Sequence, residues 1–64
     1  MEPLLTPDEV STILGVPVKT LSHWRNQRTG PIFIRAGIHV RYRRDDLDAW
    51  IEDRLEDTRR WMAN

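Results

Sequence analysis

The chain has 64 residues with equal numbers of acidic and basic side chains, and it contains no cysteine. A chain of this length forms one small domain that buries only about 60% of the surface of its unfolded state. Without cysteine it has neither a disulfide framework nor a thiol nucleophile, so packing alone must stabilise it. No apolar run approaches the roughly 20 residues of a membrane span, and the first ten residues lack the pattern of a signal peptide. We therefore expect a cytoplasmic protein.

The charges cancel in total, but they are not evenly distributed along the chain. Residues 10–44 contain seven lysines and arginines and no acid, whereas all ten acids lie outside this segment. Such segregation predicts a basic surface for a polyanion such as DNA and an acidic surface turned away from it. The alternative is a solvated surface on which the distribution of signs has no functional meaning.

The first helix is predicted from Pro7 to Leu14 by the residues at its ends. Thr6 is a suitable N-cap, a proline suits the first helical position, and Glu9 completes a capping box with Thr6. Gly15 permits the left-handed conformation that ends many helices. Pro17 then sets the backbone angle for a second helix, so the segment predicts a helix-turn-helix.

The second helix, predicted from Val18 to about Arg28, has two chemically different sides. A period of 3.6 residues puts Leu21, Trp24 and Arg28 on one side, which we expect to be buried. The opposite side carries donors for phosphates or base edges and no acid, as a helix that lies in a DNA groove requires. We interpret this segment as a recognition helix. Its opposite side consists of Lys19, His23 and Asn26, flanked by Thr20 and Ser22.

Two short runs after this helix, Ile32–Arg35 and Val40–Arg43, are rich in β-branched and aromatic residues. The connection between them contains Gly37, so we predict a β-hairpin. In the second run Val40 and Tyr42 alternate with arginines, which predicts one face that packs and one that projects cations.

The last helix is predicted to start at Asp45 or its neighbour, because three acids there favour the first turn of a helix. Apolar residues recur from that point at spacings of three and four nearly to the C-terminus. So small a core covers only part of this stripe, and an uncovered stripe usually binds a partner or a second copy. The alternative is a helix that frays after Arg54. The stripe beyond this point consists of Leu55, Trp61 and Met62.

Several short motifs between Leu4 and Arg54 are typical of one family when they occur in this order. They are Leu5–Val10, Leu14–Pro17, Gly30-Pro31, Val40–Arg44, Asp46-Leu47 and Ala49-Trp50. On these motifs the stretch resembles the small winged-helix proteins of the MerR-like superfamily, specifically phage excisionases and their regulatory relatives. The resemblance implies a mainly α fold with a small β-hairpin, a winged helix-turn-helix. It also divides the single DNA-binding domain, residues 1–64, into a core of about residues 4–54 and a C-terminal helix extension of about residues 55–64.

In this family the second helix enters the major groove, and the hairpin, called the wing, lies over the adjacent minor groove or backbone. Excisionases bind repeated sites beside a recombination site, bend the DNA and direct a partner integrase toward excision. The resemblance therefore implies double-stranded DNA at attachment or operator sites as the partner, and no catalysis, cofactor, membrane or small-molecule substrate. Small transcription regulators use the same domain, so that function stays open. A protein-interaction module that docks through its C-terminal helix stays open as well.

Site residues follow from the resemblance position by position. It implies contacts to bases or nearby phosphates for Lys19, Thr20, Ser22, His23 and Asn26. It implies backbone and wing contacts for Arg25, Arg28, Arg35, Gly37, His39, Arg41 and Arg43. The wing tip departs from the family pattern, because Ile38 and His39 stand where related sequences commonly have basic residues.

Other chemistries fit the sequence less well. His23 and His39, without cysteine or a spaced carboxylate, make a poor metal site. The acids at positions 45, 46 and 48 are explained by the start of a helix, and no general base or nucleophile accompanies them, so no enzyme is expected. Trp24 and Trp50 could stack on bases, but both lie on apolar stripes and are expected in the core.

Overall fold

A computed structural model describes residues 2–63, and within this range it contains three helices and one antiparallel hairpin. The helices and strands follow one another in the order that a winged helix-turn-helix requires, which confirms the predicted fold class. No helix among the described residues is long and apolar enough to cross a membrane. The elements are α1 (Pro7–Leu14), α2 (Val18–Asn26), β1 (Ile34–Ala36), β2 (His39–Arg41) and α3 (Arg44–Ala63).

Helix α1 has the ends that the sequence predicts. The Thr6 hydroxyl accepts a hydrogen bond from the Glu9 backbone N–H at 3.1 Å, and the Glu9 carboxylate accepts one from the Thr6 backbone N–H at 2.9 Å. This reciprocal capping box satisfies two backbone donors at the start of the helix. Gly15 ends α1 with a φ of 70°, and its N–H donates to the Ser11 carbonyl at 2.8 Å.

Helix α2 ends at Asn26, and the prediction that Arg28 lies on its buried side is wrong. Arg28 is exposed and adopts a φ of 58°, in the left-handed region. The Thr29 N–H bonds to the Trp24 carbonyl at 2.9 Å and the Arg28 N–H to the Arg25 carbonyl at 3.2 Å. These two bonds form a Schellman motif, which turns the chain out of the helix. Arginine occupies the position where glycine is usual.

The hairpin is shorter than the two predicted runs. Its register pairs Ile34 with Arg41, Arg35 with Val40 and Ala36 with His39. The predicted strand bounds of 32–35 and 40–43 are therefore wrong. Beyond β2, the N–H and carbonyl of Tyr42 bond to Leu5, at 2.9 and 2.8 Å. Because hydrogen-bonded and non-hydrogen-bonded pairs alternate along an antiparallel ladder, these two groups point away from β1, and Leu5 pairs with the opposite edge of this strand.

The core is built from one side chain of each helix and one from the end of the hairpin. Each is at most 1% exposed. Trp24 packs against this core, and its ring centroid lies 5.5 Å from that of Trp50, which confirms that Trp24 is a core residue. Around them pack half-buried residues from the three helices, from β2 and from the connecting segments, including Leu5, Phe33 and Ile51. The four residues of this core are Val10, Leu21, Tyr42 and Leu47.

Helix α3 extends well beyond the core. It continues to Ala63, so the alternative that it frays after Arg54 is wrong. Every residue described after Ile51 is exposed, and Trp61 and Met62 are 77% and 71% exposed. The Cα radius of gyration is 12.7 Å, compared with about 11 Å expected for a compact chain of this length. The uncovered apolar stripe that the sequence predicts is therefore present on a projecting helix.

Gly30 offers a test of how closely the core is packed around Trp24. A Cβ atom at Gly30 would lie 2.9 Å from Trp24 Cε3 and 3.0 Å from Trp24 Cβ. At Gly15, whose φ is also positive, an added Cβ would meet nothing within 4 Å. We expect Gly15→Ala to destabilise the fold by about 1 to 2 kcal/mol through its backbone conformation alone. In Gly30→Ala, overpacking against Trp24 should lower the free energy of unfolding by a further ~1 to 3 kcal/mol.

Urea unfolding of the two variants measures this difference directly. Equal losses of unfolding free energy in both variants would show that Trp24 is free to move away from position 30.

Candidate nucleic-acid interface

The exposed side of α2 carries the polar residues that the sequence predicts there. Lys19, His23 and Asn26 are all exposed, at spacings of four and three residues. Leu21 is buried on the opposite side, so the core holds α2 in an orientation that leaves this face free. Thr20 and Ser22 are half-buried at its flanks. The face can donate hydrogen bonds to phosphates and offers amide and imidazole groups that can pair with base edges.

The hairpin presents its two arginines on opposite faces. Residues that pair directly across an antiparallel ladder share a face, so Arg35 lies on the side of Val40 and Arg41 on the side of Ile34. The prediction of one packed face and one cationic face concerned the second strand, where Val40 packs against the core and Arg41 lies on the opposite face. Arg35 of β1 lies on the same face as Val40. Gly37 and His39 are exposed near the tip, and Ile38 at the tip is 94% exposed.

Two cations next to the hairpin are paired with acids of α3. Arg43 was predicted to lie in the second strand, but it lies outside β2 and makes two bonds to Asp46, from Nε at 2.7 Å and from NH2 at 2.9 Å. Arg44 lies 3.4 Å from the Asp48 carboxylate. The hydrogen bond from Arg43 lowers the pKa of Asp46 below its usual value. A phosphate that binds Arg43 must therefore compete with this carboxylate.

Five of the seven cations in the central segment have no carboxylate partner among residues 2–63. Arg41 donates to the carbonyl of Val40 at 2.7 Å. The pKa of Glu9 is lowered, mainly by its hydrogen bonds to Thr6 and to a smaller extent by the charge of Arg41. Arg41 is thus half-buried and near an acid, whereas Arg35 is exposed. The five cations are Lys19, Arg25, Arg28, Arg35 and Arg41.

The part of the chain that the structure describes holds no cluster of three or more metal-ligating side chains. His23 lies on α2, and His39 begins β2. The exposed face of α2 and the hairpin offer hydrogen-bond donors and positive charge, which suit a nucleic acid.

A small three-helix core, a helix-turn-helix and a following hairpin define a winged helix-turn-helix protein. A family model described as a helix-turn-helix domain matches residues 4–55 of the chain. The chain belongs to this family, which includes excisionase-like small DNA-binding proteins. A search of curated proteins and a search of solved structures each found no match. Membership in the family indicates DNA binding.

The ion pair between Arg43 and Asp46 predicts how stability depends on pH. The folded-state pKa of Asp46 lies below its unfolded value, so the pair stabilises the fold at neutral pH, and this contribution is lost as the pH falls through the folded pKa. Asp46→Asn should therefore lower the melting temperature at pH 7, and the difference from the unmodified protein should shrink toward pH 3. Asp45→Asn, which removes an acid from the same helical turn but no ion pair, is the control.

Calorimetric melting curves between pH 3 and pH 7 provide the measurement. If the deficit of Asp46→Asn stays constant over this range, the ion pair does not contribute to the pH dependence of stability.

Proposed function

We propose that this protein binds duplex DNA at specific sequences, with α2 in the major groove and the hairpin against the neighbouring backbone or minor groove. The observation that carries the proposal is the exposed, acid-free face of α2 with Lys19, His23 and Asn26. Helices with such faces fit the width of the major groove and read its pattern of donors and acceptors. The proposal involves no catalysis and no cofactor.

The proposed contacts divide into two groups according to what they can recognise. Side chains on the exposed face of α2 bind base edges or nearby phosphates. The cations of the hairpin and of the C-terminal end of α2, together with the main chain of the hairpin, hold the sugar-phosphate backbone of the DNA. Arg43 belongs to the second group only when its ion pair with Asp46 is broken. The first group is Lys19, Thr20, Ser22, His23 and Asn26, and the second is Arg28, Arg35, Gly37, His39, Arg41 and Arg43.

Arg35 gives the sharpest test of DNA binding, because it is exposed and has no ion-pair partner among residues 2–63. A lost phosphate contact reduces the slope of log affinity against log salt by about 0.9. Arg35→Ala should therefore weaken binding to a random 20-base-pair duplex and lower this slope by about one. Fluorescence anisotropy over a series of salt concentrations measures both quantities.

The control is Arg59→Ala, which removes the same charge from the projecting part of α3. It should leave affinity and slope nearly unchanged. Equal reductions in both variants would mean that net charge, and not the hairpin, determines binding.

Within DNA-binding functions, we propose that the protein is an excisionase that bends attachment-site DNA and directs a partner integrase toward excision. Two observations support this: the resemblance of residues 4–54 to phage excisionases, and a family that includes excisionase-like proteins. A small transcription regulator with the same fold is the second candidate. It shares both observations, so an experiment must separate the two.

Footprinting across a candidate attachment region, combined with a recombination assay, separates them. An excisionase should protect repeated sites beside the recombination point and increase excision by the integrase of the same element. Protection confined to a promoter, with no change in recombination, would establish the regulator instead.

We also propose that residues 4–54 form the DNA-binding core and that residues 55–63 of α3 pair two copies on DNA. Asn64, the end of the predicted extension, lies outside the described residues. Leu55, Trp61 and Met62 form the exposed apolar stripe of this segment. Residues 52–57 hold four acids and one arginine, and residues 58–63 hold two arginines and no acid. An antiparallel pair of α3 helices therefore brings opposite charges together.

Three apolar side chains offer less than the ~800 Å² per partner of a stable interface, so we expect pairing when DNA holds two copies side by side. Trp61→Ala should reduce cooperative binding to a duplex with two adjacent footprinted sites and leave single-site affinity unchanged. Ile13→Ala, an exposed apolar change on α1, is the control.

Analytical ultracentrifugation of protein on one-site and two-site duplexes measures the pairing. Cooperativity that Trp61→Ala does not alter would argue against pairing through α3 and would favour another protein as the partner of the stripe.

A further inference from the structure

Arg25 differs from the other cations of α2 in what its side chain contacts. It is half-buried, and its NH1 donates to the Tyr42 hydroxyl at 2.8 Å. Its guanidinium carbon lies 5.8 Å from the centroid of the Phe33 ring, within the range of a cation–π contact. No carboxylate among the described residues forms an ion pair with it. One side chain of the helix thus contacts two aromatic residues of the wing segment.

Those two aromatic residues define the base of the hairpin. Phe33 directly precedes β1 and Tyr42 directly follows β2, and their ring centroids lie 6.4 Å apart. Tyr42 is held firmly, because it is 1% exposed and both of its backbone groups bond to Leu5. A side chain that contacts both Tyr42 and Phe33 therefore contacts a rigid part of the wing.

We propose that Arg25 is a positioning residue that fixes the wing relative to α2 and that Tyr42 is its partner in this role. The inference rests on the proposed DNA binding and replaces the expectation that Arg25 holds a phosphate. A planar guanidinium has donors in fixed directions, so it can hydrogen-bond one ring and stack on another in a single geometry. Helix and wing must engage the DNA together, and preorganisation of the two increases affinity.

The proposal predicts that charge alone at position 25 is not sufficient. Arg25→Lys keeps the positive charge but lacks the planar fork, and Arg25→Gln lacks both. We expect both variants to bind a random duplex roughly fivefold to tenfold more weakly, which corresponds to the net contribution of one typical hydrogen bond. A phosphate contact predicts instead that Arg25→Lys binds nearly as well as the unmodified protein.

The double-mutant cycle of Arg25→Gln and Tyr42→Phe completes the test. Tyr42→Phe removes only the hydroxyl, so it should weaken binding about as much as Arg25→Gln if the hydrogen bond between them matters. The double variant should then be no weaker than Arg25→Gln alone, because both changes remove the same interaction. Additive losses, or near-normal binding by Arg25→Lys, would overturn the proposal.

The affinities are measured at a temperature well below the melting midpoint of every variant, established by circular dichroism. Unchanged affinity in all variants under these conditions would mean that the contact serves only stability, which also overturns the proposal. If the unmodified protein shows no salt-dependent binding to duplex DNA, the proposed function itself fails. Normal binding by the unmodified protein without coupling between positions 25 and 42 refutes this inference alone.

Discussion

The structure depends on a hydrophobic core that, within residues 2–63, consists of four fully buried side chains, each from a different part of the chain. Leu21 is the contribution of α2, and Trp24 packs against the same core, so two positions of this helix determine its orientation. A domain of this size has a stability of about 5 kcal/mol or more, and removal of one such side chain costs roughly 2 to 5 kcal/mol. The core must therefore stay intact for the exposed face of α2 to exist at all.

Tyr42 joins this core to the surfaces proposed to bind DNA. Its ring is buried, its backbone pairs with Leu5, and its hydroxyl accepts a hydrogen bond from Arg25. The same residue thus directly follows the hairpin, anchors the N-terminal segment and contacts α2.

A net charge of zero is compatible with DNA binding because the acids are paired with only some of the cations. The acids at the start of α3 neutralise Arg43 and Arg44, while Lys19 and Arg35 remain without carboxylate partners in residues 2–63.

Local patterns predicted both ends of α1 and the exposed face of α2 well, whereas long-range contacts could not be predicted. The capping box of Thr6 and the glycine at position 15 act within a few residues, so α1 was predicted to the residue. The bridge between Tyr42 and Leu5 could not be predicted, because Leu5 lies far away in sequence. The hydrogen bond between Arg25 and Tyr42 escaped prediction for the same reason.

Arg28 and Arg43 show two further limits of reasoning from sequence. Helical periodicity placed Arg28 on the buried side, but the Schellman motif ends α2 first, with arginine in a position that glycine usually marks. The spacing of Arg43 and Asp46, three residues apart, is typical of a helical ion pair. That signal was available, but the alternating pattern of residues 40–43 favoured a strand and concealed it.

We propose that DNA lies against α2 and the hairpin and not against the projecting part of α3. Backbone amide NMR shifts of the labelled protein, recorded during titration with a short duplex, distinguish these two surfaces. We expect the largest shift changes in residues 18–26 and 34–41, with little change in residues 55–63 when a single copy is bound. Changes concentrated in residues 52–63, with α2 unaffected, would show that DNA binds the projecting helix instead.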